Sequence, residues 1–151
     1  MSLTVTNLSK TFDNRHEIFQ DLSFHLESGQ VLIVEGPSGS GKTTLFHCII
    51  GLLNPTNGKI LLDGKSIRNF EVKKRNIGIM MQHQPLYENM SVIENLRMAI
   101  HFKDEKLIDN LLMRCLLERL KNEPVTTLSG GERRRVAFAR SIINRPKVLL
   151  L

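Results

Sequence analysis

Val31-Leu32-Ile33-Val34-Glu35-Gly36-Pro37-Ser38-Gly39-Ser40-Gly41-Lys42-Thr43-Thr44-Leu45 is the stretch on which the fold turns. Its first four residues are β-branched or Leu and predict a short strand buried on both faces. Glycines at 36, 39 and 41 follow at once, and Thr43 to Leu53 has the composition of a helix. Gly36, Gly41, Lys42 and Thr43 fill the pattern G-x-x-x-x-G-K-[ST]. The physical sense of that pattern is a phosphate cradle. Glycines let the backbone curl so that successive N–H groups point inward, and the start of the helix adds its positive dipole end. Lys42 supplies a point charge for β- and γ-phosphates, and the Thr43 hydroxyl can ligate Mg²⁺. By itself the loop leaves the enzyme open. Nucleoside monophosphate kinases, GTPases and helicases share it, although the Asn-Lys-x-Asp element of guanine-specific GTPases is absent.

On either side of this stretch the chain alternates strand and helix signals. Residues 2–8 alternate polar and apolar, Asp13-Asn14 marks a turn, and Ile18 to Leu26 alternates again. Two such strands joined by a short turn predict an antiparallel pair. Asn54-Pro55-Thr56-Asn57-Gly58 ends the first helix, and Lys59 to Leu62 forms a strand closed by Asp63-Gly64. Residues 77–81 predict a further buried strand. Val92, Leu96 and Ile100 keep helical spacing, and another helix is expected over Lys103 to Leu120. A third starts at Ser129 and stops at Asn144-Arg145-Pro146, before an apolar strand from Val148 to Leu151. Strand–loop–helix units with buried strands predict an α/β sheet.

At 151 residues the chain fits one domain with a real core. The formal charge of +6 is scattered, and its densest runs are Lys73-Lys74-Arg75 and Arg133-Arg134-Arg135. Without an aromatic platform such short runs are expected to be solvated faces, and no nucleic acid is expected as a partner. Cys48 and Cys115 lie in apolar segments without metal-ligand spacing and are expected to be small buried hydrophobes in a reducing compartment. The mixed, polar residues 1–17 predict no signal peptide. The apolar run Leu45 to Leu53 is too short to span a bilayer.

The second decisive stretch is Leu128-Ser129-Gly130-Gly131-Glu132. Ser129 with Glu132 three residues on is a capping box. Two glycines are nevertheless poor choices for a first helical turn. They suit a backbone that something else must approach closely, and a helix N-terminus is a good seat for phosphate. Together with the phosphate loop, this segment makes the whole chain resemble the ATP-binding cassette of ABC transporters, whose signature is LSGGQ or LSGGE. Arg133-Arg134-Arg135-Val136-Ala137-Phe138-Ala139-Arg140 is similar to the family's signature helix.

The resemblance implies a P-loop NTPase fold with an antiparallel β subdomain, an incomplete RecA-like core and an inserted helical subdomain over 91–128, all within one cassette spanning 1–151. It implies ATP and Mg²⁺ as cofactors. Gly36, Pro37, Ser38, Gly39, Ser40, Gly41, Lys42, Thr43 and Thr44 would form the cradle. Phe12, after Leu8-Ser9-Lys10-Thr11, would stack on adenine. Gln82, in Ile79-Met80-Met81-Gln82-His83, would be the Q-loop glutamine and, with Thr43, would touch the metal. Leu128, Ser129, Gly130, Gly131 and Glu132 would face ATP held by a second cassette. The Q-loop and the helical subdomain would receive a membrane permease, which places the protein in the cytoplasm against the inner face of the membrane. Asn144 to Leu151 resembles the run into the Walker B strand. The acidic residues that order Mg²⁺ and activate water, and the switch histidine, fall after Leu151. The chain as given is therefore expected to be a truncated cassette with little or no turnover. Two other expectations stand beside the transporter subunit: a remnant that only binds nucleotide, and a soluble ABC ATPase outside transport. A small kinase would leave LSGGE unexplained.

Overall fold

The computed structural model describes residues 1–13, 16–81, 86–101 and 104–151. The chain divides into two compact units, Met1–Arg75 and Asn76–Leu151.

In the first unit, β1 (Ser2–Phe12) pairs antiparallel with β2 (His16–Glu27) on one side and β3 (Asn57–Leu62) on the other. A two-residue hairpin carries β3 into β4 (Lys65–Ser66), giving the order β2-β1-β3-β4. Asp63 and Gly64, its turn residues, both have positive φ, as a type I′ turn demands. The expected antiparallel pair at the amino terminus is present.

Leu3, Val5 and Leu8 are buried, so the inward-facing set changes from odd to even positions between Val5 and Leu8. Both ladders shift register there, and Asn7 sits at φ 47°. This is a β-bulge: one extra residue turns the following side chains to the other face. Gly58 receives it. A Cβ at that position would overlap the Asn7 carbonyl and lie 2.5 Å from the Leu8 Cα.

Helix α1 (Lys42–Ile50) buries Leu45, Cys48, Ile49 and Ile50 and stops at Gly51, whose left-handed conformation (φ 91°) returns its N–H to His47 O. The predicted strand before it does not form. Residues 31–34 belong to no strand ladder among the described residues, and Val31, Leu32 and Ile33 are 86%, 44% and 74% exposed. An apolar extended segment becomes a strand only where a neighbour satisfies its N–H and C=O groups. Composition supplies the preference but not the neighbour.

In the second unit, β5 (Ile77–Ile79) and β6 (Val148–Leu150) pair in parallel, with Gly78 opposite Leu149. Between them in sequence come α2 (Val92–Ala99), α3 (Glu105–Arg114) and α4 (Gly130–Ile142). Helix α2 contacts both others. Val92, Leu96, Ile108, Leu112, Leu117, Val125, Val136 and Ile143 belong to one core cluster in which each is at most 1% exposed. Burying such a side chain fully is worth about 1.5–3 kcal/mol, so helical spacing at Val92 and Leu96 is rewarded directly.

The helix expected over 103–120 is shorter. Leu116 takes φ 57°, its N–H bonds Met113 O, and the Leu117 N–H reaches back to Leu112 O. That is a Schellman ending made with leucine where glycine is usual. It lets Leu117 turn into the core while Leu116 stays exposed. A 3-10 turn at Glu118–Leu120 follows. Apolar spacing continues through both segments, which is why periodicity alone fuses them.

Candidate nucleotide-binding site

The geometry of the phosphate loop follows from three residues. Gly39 and Gly41 have φ of 84° and 89°, the left-handed region that glycine enters without strain. Gly41 carries a second constraint: a Cβ there would sit 2.5 Å from Ile18 Cγ2 and 3.4 Å from the Ile18 carbonyl oxygen on β2. The loop is thereby seated on the sheet where the helix begins. Lys42 folds back over it. Its Nζ donates to Gly36 O and Pro37 O, both at 2.7 Å, and to Ser40 Oγ at 3.3 Å. Thr43 is exposed and Thr44 half-buried on the first turn of α1.

The start of α1 differs from those of α2, α3 and α4. α2, α3 and α4 each have a side-chain cap (Ser91, Asp104, Ser129) and a glutamate in the first turn. α1 has neither a side-chain cap hydrogen bond nor an acidic residue there. Its N–H groups and dipole end are left to be met by an anion from outside, with the Lys42 ammonium alongside.

Phe12 ends β1 and is 37% exposed. Lys10 Nζ lies 4.7 Å from the centre of its ring. The strand end is tied to the segment leaving α1, because Thr11 N–H donates to Thr56 Oγ1 (3.0 Å) and Thr56 N–H donates to Ser9 O (2.8 Å). Phe12 and the loop 36–44 therefore both belong to the first unit. Gln82 lies outside the described residues.

The signature segment belongs to the second unit. Glu132 Oε2 accepts from Ser129 N–H (2.8 Å) and from the Ser129 hydroxyl (2.6 Å), and these two bonds, the hydroxyl first, hold its carboxyl below the usual range. Leu128 is buried in the core cluster and anchors the turn into α4. Gly130 and Gly131 are helical, and a Cβ on either would meet nothing within 4 Å. No packing inside the described chain asks for glycine at these two positions.

Sequence reasoning missed three residues. Arg75 closes the basic run 73–75 but is only 4% exposed. Its guanidinium donates to the carbonyls of Cys48, Ile49, Arg68 and Phe70, capping the C-terminal end of α1. The other two are Lys10 and Asn95. The Asn95 amide, fully buried, takes Tyr87 N–H (2.9 Å) and donates to Tyr87 O and Ser91 O. It shapes the turn at 87–91, which Arg140 stacks upon through the Tyr87 ring at 4.9 Å. The pairing of Gly51 with Arg75 leaves no trace in local sequence. Lys10 two residues before Phe12 does, since that spacing puts two side chains on one face of a strand.

Comparison with known proteins agrees with these features. The family model for ABC transporter matches residues 19–151. CbiO1 from Clostridium perfringens, part of the ABC transporter complex CbiONQ, superposes with a TM-score of 0.86 at 32% identity, over 97% of this chain and 63% of that one. A bacterial Atm1-family ABC exporter with ATP bound gives 0.84 at 27% identity, over 98% of this chain and 28% of the exporter. The chain thus spans less than two thirds of the length of either. A phosphate loop seated on an antiparallel sheet, an LSGGE helix start and a family match over most of the sequence converge, and the chain belongs to the ABC transporter family as a nucleotide-binding domain.

Proposed function

We propose that the chain is the ATP-binding subunit of an ABC transporter, coupling MgATP binding and hydrolysis at a head-to-tail pair of cassettes to transport. The uncapped start of α1 beside Lys42 is the observation that carries this reading. Lys42 already points at carbonyl oxygens across the loop, so a β- or γ-phosphate would replace weak neutral acceptors with a charged one. Residues 36–44 would hold the phosphates, Thr43 and Gln82 would touch Mg²⁺, and Phe12 would take the adenine. Mg²⁺ would neutralise phosphate charge and order the oxygens for transfer.

Gly130 and Gly131 support the second half of the proposal. Each costs about 0.5–1 kcal/mol relative to alanine in a helix, and the described chain gives nothing back for it. Close approach by a nucleotide bound to another cassette would explain both. Residues 91–128, with α2 and α3, would form the helical subdomain that meets a membrane permease through the Q-loop side. Among the described residues no helix is long and apolar enough to cross a membrane. Attachment through the permease would place the protein at the inner, cytoplasmic face.

One experiment tests both halves. ATP binding and ATP-dependent association with a second cassette, a further copy of this chain first, would be measured for wild type, Lys42→Ala and Gly131→Ala. Lys42→Ala should lose about tenfold or more in ATP affinity, the worth of a charge-assisted contact. Gly131→Ala should keep ATP binding, melt higher and lose the ATP-dependent part of the association. Undiminished binding in Lys42→Ala would sink the nucleotide reading, and undiminished association in Gly131→Ala would sink the partner reading.

A further inference from the structure

We infer that Lys10 is a positioning residue for the nucleotide base, acting through the ring of Phe12. The inference rests on the reading that Phe12 takes the adenine, and adds the group that holds and polarises it.

The ammonium of Lys10 has two fixed contacts. It lies 4.7 Å from the Phe12 ring centre, within cation–π range, and donates to Asn54 O at 2.9 Å. A lysine at a strand end usually keeps its rotamer freedom. Here the Asn54 carbonyl anchors the charge, so the cation stays over one ring face. Asn54 lies just beyond Gly51, where α1 ends. The same segment supplies Thr56, whose hydroxyl accepts from Thr11 N–H beside the aromatic residue. The strand end bearing Phe12 is therefore clamped at Ser9, Lys10 and Thr11 to the chain that leaves the phosphate-loop helix.

Two consequences follow for an incoming purine. The ring is restrained before the base arrives, so less freedom is lost on stacking. The cation also claims one face of the ring and draws its π density, which leaves the opposite face a better partner for an electron-rich base. Phe12 is 37% exposed, so part of the ring remains open to such a partner.

The test separates base from phosphate. Affinity for ATP and for inorganic tripolyphosphate would be measured on the chain and on Lys10→Met, Lys10→Arg, Phe12→Ala and the Lys10→Met/Phe12→Ala double variant. Lys10→Met keeps the aliphatic stem and removes the charge. It should weaken ATP about two- to fivefold, the span of an exposed cation–π contact, and leave tripolyphosphate unchanged. Lys10→Arg should restore ATP affinity, and in the Phe12→Ala background Lys10→Met should have no further effect. Equal weakening of ATP and tripolyphosphate would make Lys10 a general attractor of anions and overturn the inference. So would no weakening of either, or an undiminished effect without Phe12. If instead Phe12→Ala binds ATP like wild type, the stacking reading itself is wrong and the role of Lys10 goes with it.

Discussion

Arg75 shows how one residue can decide the shape of a site without standing in it. Its guanidinium spends its donors on four backbone carbonyls, two of them the last turn of α1. Burial lowers its affinity for the proton below that of an ordinary arginine, but no carboxylate is needed where four carbonyl dipoles converge. Gly51 makes room for it, since a Cβ there would sit 2.5 Å from both Cζ and Nε. The charge also faces the negative end of the α1 dipole. Arg75→Met would leave buried carbonyls without donors, at about 1–3 kcal/mol for each one that water cannot reach. The variant should lose at least about 2 kcal/mol of unfolding free energy in denaturant titration, on the same basis. Arg75→Lys should recover only part of it, because a single ammonium cannot span the fork. A Lys variant as stable as wild type would contradict this account. Nothing in the run Lys73-Lys74-Arg75 distinguishes the third residue from the first two, which pair with Glu71 at the surface. Its burial comes from Gly51 and the α1 terminus, more than twenty residues earlier in the chain, so local sequence gives a solvated cluster.

Helix starts were the elements that sequence described best, and they carry a pH dependence. Ser129 and Glu132 form the expected capping box, and Ser91 with Glu94 forms a second one. The second has the same S-x-x-E spacing and could have been found the same way. Both carboxyls are held below the ordinary glutamate range. In Glu132 the Ser129 hydroxyl is the larger cause and its N–H the second, whereas in Glu94 the Ser91 N–H comes first and the hydroxyl second. Glu105 is lowered as well, by its hydrogen bonds from Arg97. A carboxyl whose folded value is depressed binds its proton more readily in the unfolded chain. Its contribution is thus complete above about pH 4.3, the ordinary glutamate value, and is lost as pH falls through the lower folded value. Stability measured by helical circular dichroism should decline on acidification across that window. Glu94→Gln/Glu132→Gln should decline less, because glutamine still accepts in a capping box but does not titrate. Parallel curves for the two proteins would show that the caps do not drive the acid response. Helix ends were less legible than helix starts. The Leu116 turn depends on Leu117 reaching the core, a tertiary demand that overrides the helical spacing on either side.

At the scale of the whole molecule, the legible part is whatever the chain supplies both sides of. β1 finds β2 and β3, and β5 finds β6, because their partners are present and alternation or a buried run marks each. Val31-Leu32-Ile33-Val34 has the same marks and forms no ladder among the described residues, so composition foretold the wrong state there. The phosphate loop immediately after it is nonetheless shaped, because Gly41 docks on β2 and Lys42 closes over residues 36 and 37. The loop draws its order from the sheet and from α1 rather than from a strand beneath it. Exposed β-branched residues in an unpaired stretch are a template for pairing with another chain. The polypeptide 1–151 should therefore self-associate without nucleotide, and Val31→Lys/Ile33→Lys should shift it toward monomer in light scattering. Because both side chains face solvent, the double variant should cost no more than about 0.5 kcal/mol at either position and leave ATP affinity intact. A drop of several kcal/mol instead would mean that these side chains are covered in solution, since a lysine forced into an apolar site cannot keep its charge hydrated. The melting curve of that one variant thus decides whether the stretch before the phosphate loop is a free edge or an occupied one.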